Sequence, residues 1–231
     1  MQDLAIFGDS WACGSFSNEI DGWTGVGDFY FQHELSKKFN ITNFASGGLN
    51  NVRTLHNITS YLHTKNTKFL VVQTDPIRDW YPTYDYHLMK SNFCDVFNGN
   101  IKKFAETQLE LFYYQLDVLA EKHNVIINII GGCSDVHPSV TKYKNLNVLC
   151  YSWFELIDST HKHGVFSNTT NLGRLIEINS DDDREVVDQI YEKQMIIDRE
   201  HGKLFGYDGD SHPSHAGQDL MINHIIKGEK L

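Results

Sequence analysis

Short apolar runs separated by longer stretches of helical periodicity set the pattern of this chain. Residues 4–7, 41–45, 69–73, 125–130 and 147–150 show little polar alternation. That pattern predicts short strands covered on both faces. Residues 27–39, 51–63 and 101–123 carry apolar positions at helical spacing between those runs. The clearest is 101–123, where Phe104, Leu109, Phe112, Leu116 and Leu119 fall on roughly one stripe. Strand–helix alternation of this kind predicts a parallel sheet with helices on both sides, a five-stranded three-layer α/β/α sandwich.

Two segments break the alternation. Residues 76–100 hold Trp80, Tyr81, Tyr84, Tyr86 and Phe93 without a clear period, and residues 151–180 are similarly irregular. Segments this long inside a compact domain are either functional loops and lids or peripheral aromatic packing, and both readings stand. Asp181-Asp182-Asp183 then opens a predicted helix reaching about residue 201, its acidic first turn suited to the helix dipole. No linker, low-complexity tract or long repeat divides the chain, so one domain over residues 1–231 is expected.

Composition narrows the partners. The 231 residues are 41% hydrophobic and 22% charged, as in an ordinary globular protein with length for a real core. A formal net charge of −10 and the absence of a Lys/Arg patch argue against a nucleic-acid partner. Cys13, Cys94, Cys133 and Cys150 are far apart and form no paired motif. Reduced thiols are expected, with no zinc site or disulfide framework. No secretory leader and no apolar run of membrane-spanning length is visible, so the expectation is a cytoplasmic chain without a membrane partner. Three matches to the glycosylation pattern, at Asn40, Asn57 and Asn168, are accounted for by chance in a chain rich in asparagine.

Ligands of open parallel sheets bind outside the carboxyl ends of the strands, so candidate chemistry belongs there. After the first run comes Gly8-Asp9-Ser10, which ends the strand and is able to cap a helix start. A serine there has its hydroxyl beside helix amides, a good place for a nucleophile and an ordinary place for a turn. After the second run, residues 43–51 read "NFASGGLNN", a glycine turn followed by Asn50 and Asn51. After the third come Thr74, Asp75 and Arg78; after the fourth, Cys133, Ser134, Asp135 and His137.

A serine nucleophile needs a base, and the base needs an orienting carboxylate. Asp210 and His212 offer both from one loop near the carboxyl terminus. Asp135-Val136-His137-Pro138-Ser139 repeats the same Asp-x-His-Pro-Ser order and is a second source. Glycine amides and asparagine side chains suit the oxyanion. Cys133 beside His137 raises a thiol nucleophile, weighed against inert packing. Arg78 fits either a substrate anion or a salt bridge with Asp75 or Asp79; Trp11 and the aromatics of 80–86 fit either a substrate platform or packing. His161, His163 and His201 lack ligand-like spacing, so no metal is expected. His215 lies three residues beyond His212, at the edge of such a site or simply in solvent.

Taken together, "FGDSW" at 7–11, "NFASGGLNN" at 43–51 and "DSHPSHAG" at 210–217 resemble the SGNH (GDSL-type) hydrolases. That family comprises serine esterases, lipases and carbohydrate O-deacetylases on a flavodoxin-like five-stranded parallel sheet. The resemblance implies Ser10 as nucleophile and, through its amide, oxyanion donor. It implies Gly48 as the second oxyanion amide, His212 as general base and Asp210 as its orienting carboxylate. The pair at 210–212 is favoured over 135–137 because it precedes the terminal helix. His137 then joins Asp9, Trp11, Asn50, Asn51 and Arg78 as candidate substrate contacts.

One block departs from the family pattern. Where the family has Gly-x-Asn-Asp with a donating asparagine, this chain reads Gln73-Thr74-Asp75-Pro76. An ionised Asp75 accepts and cannot donate. The Thr74 hydroxyl or an amide of Asn50 or Asn51 is the available replacement; without one, the oxyanion has two donors. The implied reaction is hydrolysis of a small-molecule or carbohydrate ester, such as an O-acetyl group, through an acyl-enzyme and without a cofactor. A catalytically weak or inactive binding module on the same fold, and acyl transfer by the same triad, are the competing readings.

Overall fold

Neighbouring residues of the first strand enter opposite cores. In the computed structural model, Leu4 and Ile6 pack on one side of the sheet and Ala5 and Phe7 on the other. The structure describes residues 1–13, 17–18, 22–23, 29–61, 63–74, 76, 101–132, 134–157, 213 and 215–227. The elements are β1 (Gln2–Phe7), a small hairpin of β2 (Ser17–Asn18) and β3 (Gly22–Trp23), α1 (Tyr30–Ser36), β4 (Phe39–Asn43), α2 (Asn51–Ser60) and β5 (Lys68–Gln73). They continue with α3 (Ile101–His123), β6 (Ile127–Gly131), β7 (Leu146–Cys150), α4 (Trp153–Ile157) and α5 (His215–Lys227).

The main sheet has the order β4-β1-β5-β6-β7, and every pairing in it is parallel. Counted along the chain, its five strands lie in the order 2-1-3-4-5, the flavodoxin-like arrangement, with the switch point between β1 and β5. Because strand side chains alternate with period two, each apolar strand feeds both cores. Leu70 and Val72 join Leu4 and Ile6 under Phe31 and Leu35 of α1, Trp153 of α4, and Met221 and Ile225 of α5. Phe69, Val71, Ile127 and Ile129 join Ala5 and Phe7 under Ile58 of α2 and the Leu109, Phe112, Tyr113 and Leu116 stripe of α3. Sheet and two helical layers form the α/β/α sandwich. Phe7 anchors the second core, stacked on Phe44 at 5.2 Å and on Phe69 at 5.7 Å between ring centroids.

Several boundaries differ from the periodicity. β4 ends at Asn43 because the Asn43 side chain accepts from the Ala45 amide at 2.8 Å and turns the chain out of the sheet. α1 occupies only Tyr30–Ser36 of the expected 27–39, since Phe39 already pairs with Gln2 in the sheet. Val125 and Ile126 precede β6 rather than belonging to it. The stretch read as irregular after residue 150 begins with α4, whose Trp153 is wholly buried. The expected helix at 181–201 and the aromatics Trp80 to Phe93 lie outside the described residues. Among the described residues no helix is long and apolar enough to cross a membrane.

Candidate active site

The first strand leaves the sheet through Gly8, whose φ of +146° is closed to most side chains. A Cβ there would sit 2.6 Å from the backbone oxygen of Val72. Glycine therefore lets the turn press against β5. Asp9 follows and caps a single 3-10 turn, Ser10–Ala12, its Oδ1 accepting from the Trp11 amide at 3.0 Å. The Ala12 amide bonds Asp9 O at 3.1 Å and the Cys13 amide bonds Ser10 O at 3.0 Å. Ser10 thus stands at the amino end of a rigid turn, at the carboxyl end of β1, and is 5% exposed.

The second block is fastened to the first. The Phe44 amide donates to Ile6 O at 2.8 Å, the Ser46 amide to Gly8 O at 3.3 Å, and Asn43 Nδ2 to Ala12 O at 3.1 Å. A turn closed by the Leu49 amide on Ser46 O at 3.1 Å carries Gly48 at φ +74°. Among the described residues nothing lies within 4 Å of where a Gly48 Cβ would be. Asn50 caps α2 by accepting from the Arg53 amide at 2.9 Å, a contact of about 1 kcal/mol.

The third block closes the arrangement. Asn51, buried at the start of α2, grips the Thr74 backbone: its Nδ2 donates to Thr74 O at 3.2 Å and its Oδ1 accepts from Thr74 N at 3.3 Å. The Thr74 hydroxyl donates to Asp9 Oδ2 at 2.6 Å. Of the donors the sequence offered in place of the family asparagine, the Thr74 hydroxyl proton is therefore directed at Asp9, and Asn51 directs an amide proton at Thr74. The turns after β1, β4 and β5 are laced into one unit across the switch point.

A buried polar network, absent from the sequence reading, supports Thr74 from beneath. Gln73 Nε2 donates to Ser134 Oγ at 2.8 Å and to Asp135 O at 2.9 Å. Ser134 Oγ donates to Thr74 O at 3.1 Å. Tyr113 OH donates to Gln73 Oε1 at 2.6 Å and accepts from the His137 amide at 2.9 Å. Burial drives the Tyr113 phenol well above its ordinary range, so it stays a neutral donor. The sequence signal was Tyr113 beside the inward stripe of α3, since a buried phenol requires a partner.

Other candidates fall in different places. His137 Nδ1 pairs with Ser139 Oγ at 2.8 Å and accepts from the Ser139 amide at 3.3 Å, capping the 3-10 turn Pro138–Lys142. Trp11 is 2% exposed and meets Trp153 edge-on, a core position rather than an open platform. Burial first, then the Asp9 charge, pushes the Cys13 thiol up to about 12. Burial likewise pushes Cys150 up to about 11. Both described thiols are thus held as protonated, poorly nucleophilic groups. His215 opens α5, stacked on Tyr30 at 4.0 Å between centroids. Asp75, Arg78, Cys133, Asp210 and His212 lie outside the described residues.

A cavity of about 730 Å³ lies at the opposite end of the sheet, lined by Gln2, Lys65, Lys68, Asn128 and Lys144 at or near the strand starts. The Ser10 turn contributes nothing to it. Among the described residues no group of three or more His, Cys, Asp or Glu side chains is placed to hold a metal ion.

No protein-family model and no curated protein matches this chain. Solved structures do. A member of the lipolytic G-D-S-L family from Veillonella parvula is 14% identical, with each chain covered in full and a TM-score of 0.43. A lipase/acylhydrolase from Enterococcus faecalis is 12% identical over 99% of this chain and 95% of its own, with a TM-score of 0.44. An α/β hydrolase enzyme from the metagenome of Lake Arreo is 12% identical over 98% of this chain and 94% of its own, with a TM-score of 0.48. The solved structures similar to this chain along its length thus include lipolytic hydrolases of the GDSL type.

Proposed function

We propose that this chain is a serine ester hydrolase with Ser10 as its nucleophile. The observation that carries the proposal is the lacing of the Ser10, Gly48 and Thr74 turns by the Ser46–Gly8, Asn51–Thr74 and Thr74–Asp9 hydrogen bonds. Those bonds gather the serine and a glycine turn at the carboxyl end of the sheet beside its switch point, where open α/β sheets bind ligands.

In the proposed cycle His212 takes the Ser10 proton, and Oγ adds to the ester carbonyl carbon. The Ser10 and Gly48 amides hold the oxyanion, and Asp210 orients the imidazole. Collapse expels the alcohol, which takes the proton back from His212. Water then adds to the acyl-enzyme with the same base, releasing the acid and restoring the serine hydroxyl. Small-molecule or carbohydrate esters, O-acetyl groups among them, are the proposed substrates.

The Thr74–Asp9 bond supports a slow enzyme. A site lacking one oxyanion donor typically loses about 10²- to 10³-fold in rate. Turnover of p-nitrophenyl acetate tests the proposal. Ser10→Ala is expected to abolish it, and unchanged turnover refutes the assignment. Product analysis with and without an acceptor alcohol separates hydrolysis from acyl transfer.

A further inference from the structure

Ser10 and His212 belong to opposite ends of the chain, and the proposed proton transfer requires the two to meet. We infer that Trp153 is the positioning residue that couples the nucleophile turn to the helix that follows His212 in the sequence, an inference that rests on the esterase reading above. Trp153 is wholly buried at the start of α4. Its ring meets Trp11, the residue after Ser10, edge-on at 5.6 Å and 72°. Its Nε1 donates to Gly217 O in the first turn of α5 at 3.0 Å.

From Gly217 the path runs to Pro213. Gln218, also buried, donates from Nε2 to Pro213 O at 3.0 Å, and Pro213 is the residue after His212. Tyr30 also holds α5: its hydroxyl donates to Asp219 Oδ1 at 2.9 Å and its ring stacks on His215 at 12°. One indole thereby touches the element that starts at Ser10 and the element that begins three residues beyond His212. An aromatic pair and a buried N–H bond are directional, unlike aliphatic packing, so they set orientation as well as separation. Serine–imidazole proton transfer needs hydrogen-bond reach, and a misplacement of 1 Å costs up to about 100-fold.

Trp153→Phe keeps an aromatic ring and removes the N–H donor. The measurements are the rate of Ser10 modification by a fluorophosphonate and the kcat and KM for p-nitrophenyl acetate. The expected result is a fall of about 10-fold in modification rate and kcat, with KM unchanged. Leu116→Ala, in the opposite core, serves as the comparison: it destabilises the fold and is expected to leave both rates unchanged. If the Trp153 variant does not accumulate as folded protein, Trp11→Phe tests the other end of the contact by the same rates. A labelled wild-type chain with Trp153→Phe or Trp11→Phe reacting equally fast overturns the coupling alone. Equal slowing in Leu116→Ala also overturns it, by assigning the effect to stability. A wild-type chain that the probe does not modify overturns the esterase reading and the coupling with it.

Discussion

Thr74 donates its hydroxyl proton to the Asp9 carboxylate at 2.6 Å, joining the turns after two adjacent parallel strands. Asp9 is fully buried, and its other oxygen caps the Trp11 amide, so this carboxylate fixes the turn that carries Ser10.

Thr74→Val removes the hydroxyl while keeping the branched shape. It takes a donor from a buried carboxylate oxygen, and the expected loss is about 1–3 kcal/mol by urea denaturation, with a lower kcat. Thr74→Ser keeps the hydroxyl and is expected to retain most of both. Equal stability of the valine and wild-type chains contradicts the role given to this bond.

Gly8→Ala meets two obstacles together: a φ of +146° and a backbone oxygen 2.6 Å from the new Cβ. The expected cost is about 3 kcal/mol, measured by the same denaturation. A loss well under 1 kcal/mol shows that the turn relaxes without strain.

Tyr113→Phe leaves the buried Gln73 Oε1 without its donor and the part-buried His137 amide without its acceptor. The expected destabilisation is about 1–3 kcal/mol. Amide hydrogen exchange checks the location: protection at His137 is expected to fall more than at the centre of β1.

The layered architecture was legible because apolar runs such as Leu4–Phe7 and Phe69–Val72 signal strands covered on both faces, and α3 carries an unbroken stripe. Periodicity predicted α3 at its observed bounds, 101–123. The hairpin of Ser17–Asn18 with Gly22–Trp23 and the five-residue α4 were not legible, being too short to show a period. Ser10, Gly48 and Thr74 were placed from their positions after strands. What Thr74 bonds to depends on the separation of β1 and β5, which no linear pattern encodes. The Gln73–Ser134–Tyr113 network joins residues up to 62 positions apart and depends in the same way on the folded chain.

His123 closes α3 with its ring edge-on to His63 at 4.9 Å and its Nε2 buried without a hydrogen-bond partner among the described residues. Burial, then His63 and Lys122, hold its pKa below the ordinary 6.5. The unfolded chain binds this proton more readily than the folded one. The stabilisation is therefore complete above pH 6.5 and is lost as pH falls through the folded value. Thermal melts taken downward from neutral pH are expected to show this slope, and His123→Phe is expected to flatten it. An unaltered slope in the variant assigns the dependence to other groups.

The site of covalent capture by a fluorophosphonate, read by peptide mass spectrometry, decides whether Ser10 is the nucleophile. One adduct per chain is expected on the Ser10 peptide, lost in both Ser10→Ala and His212→Ala. An unmodified wild-type chain, or an adduct that persists in Ser10→Ala, contradicts it.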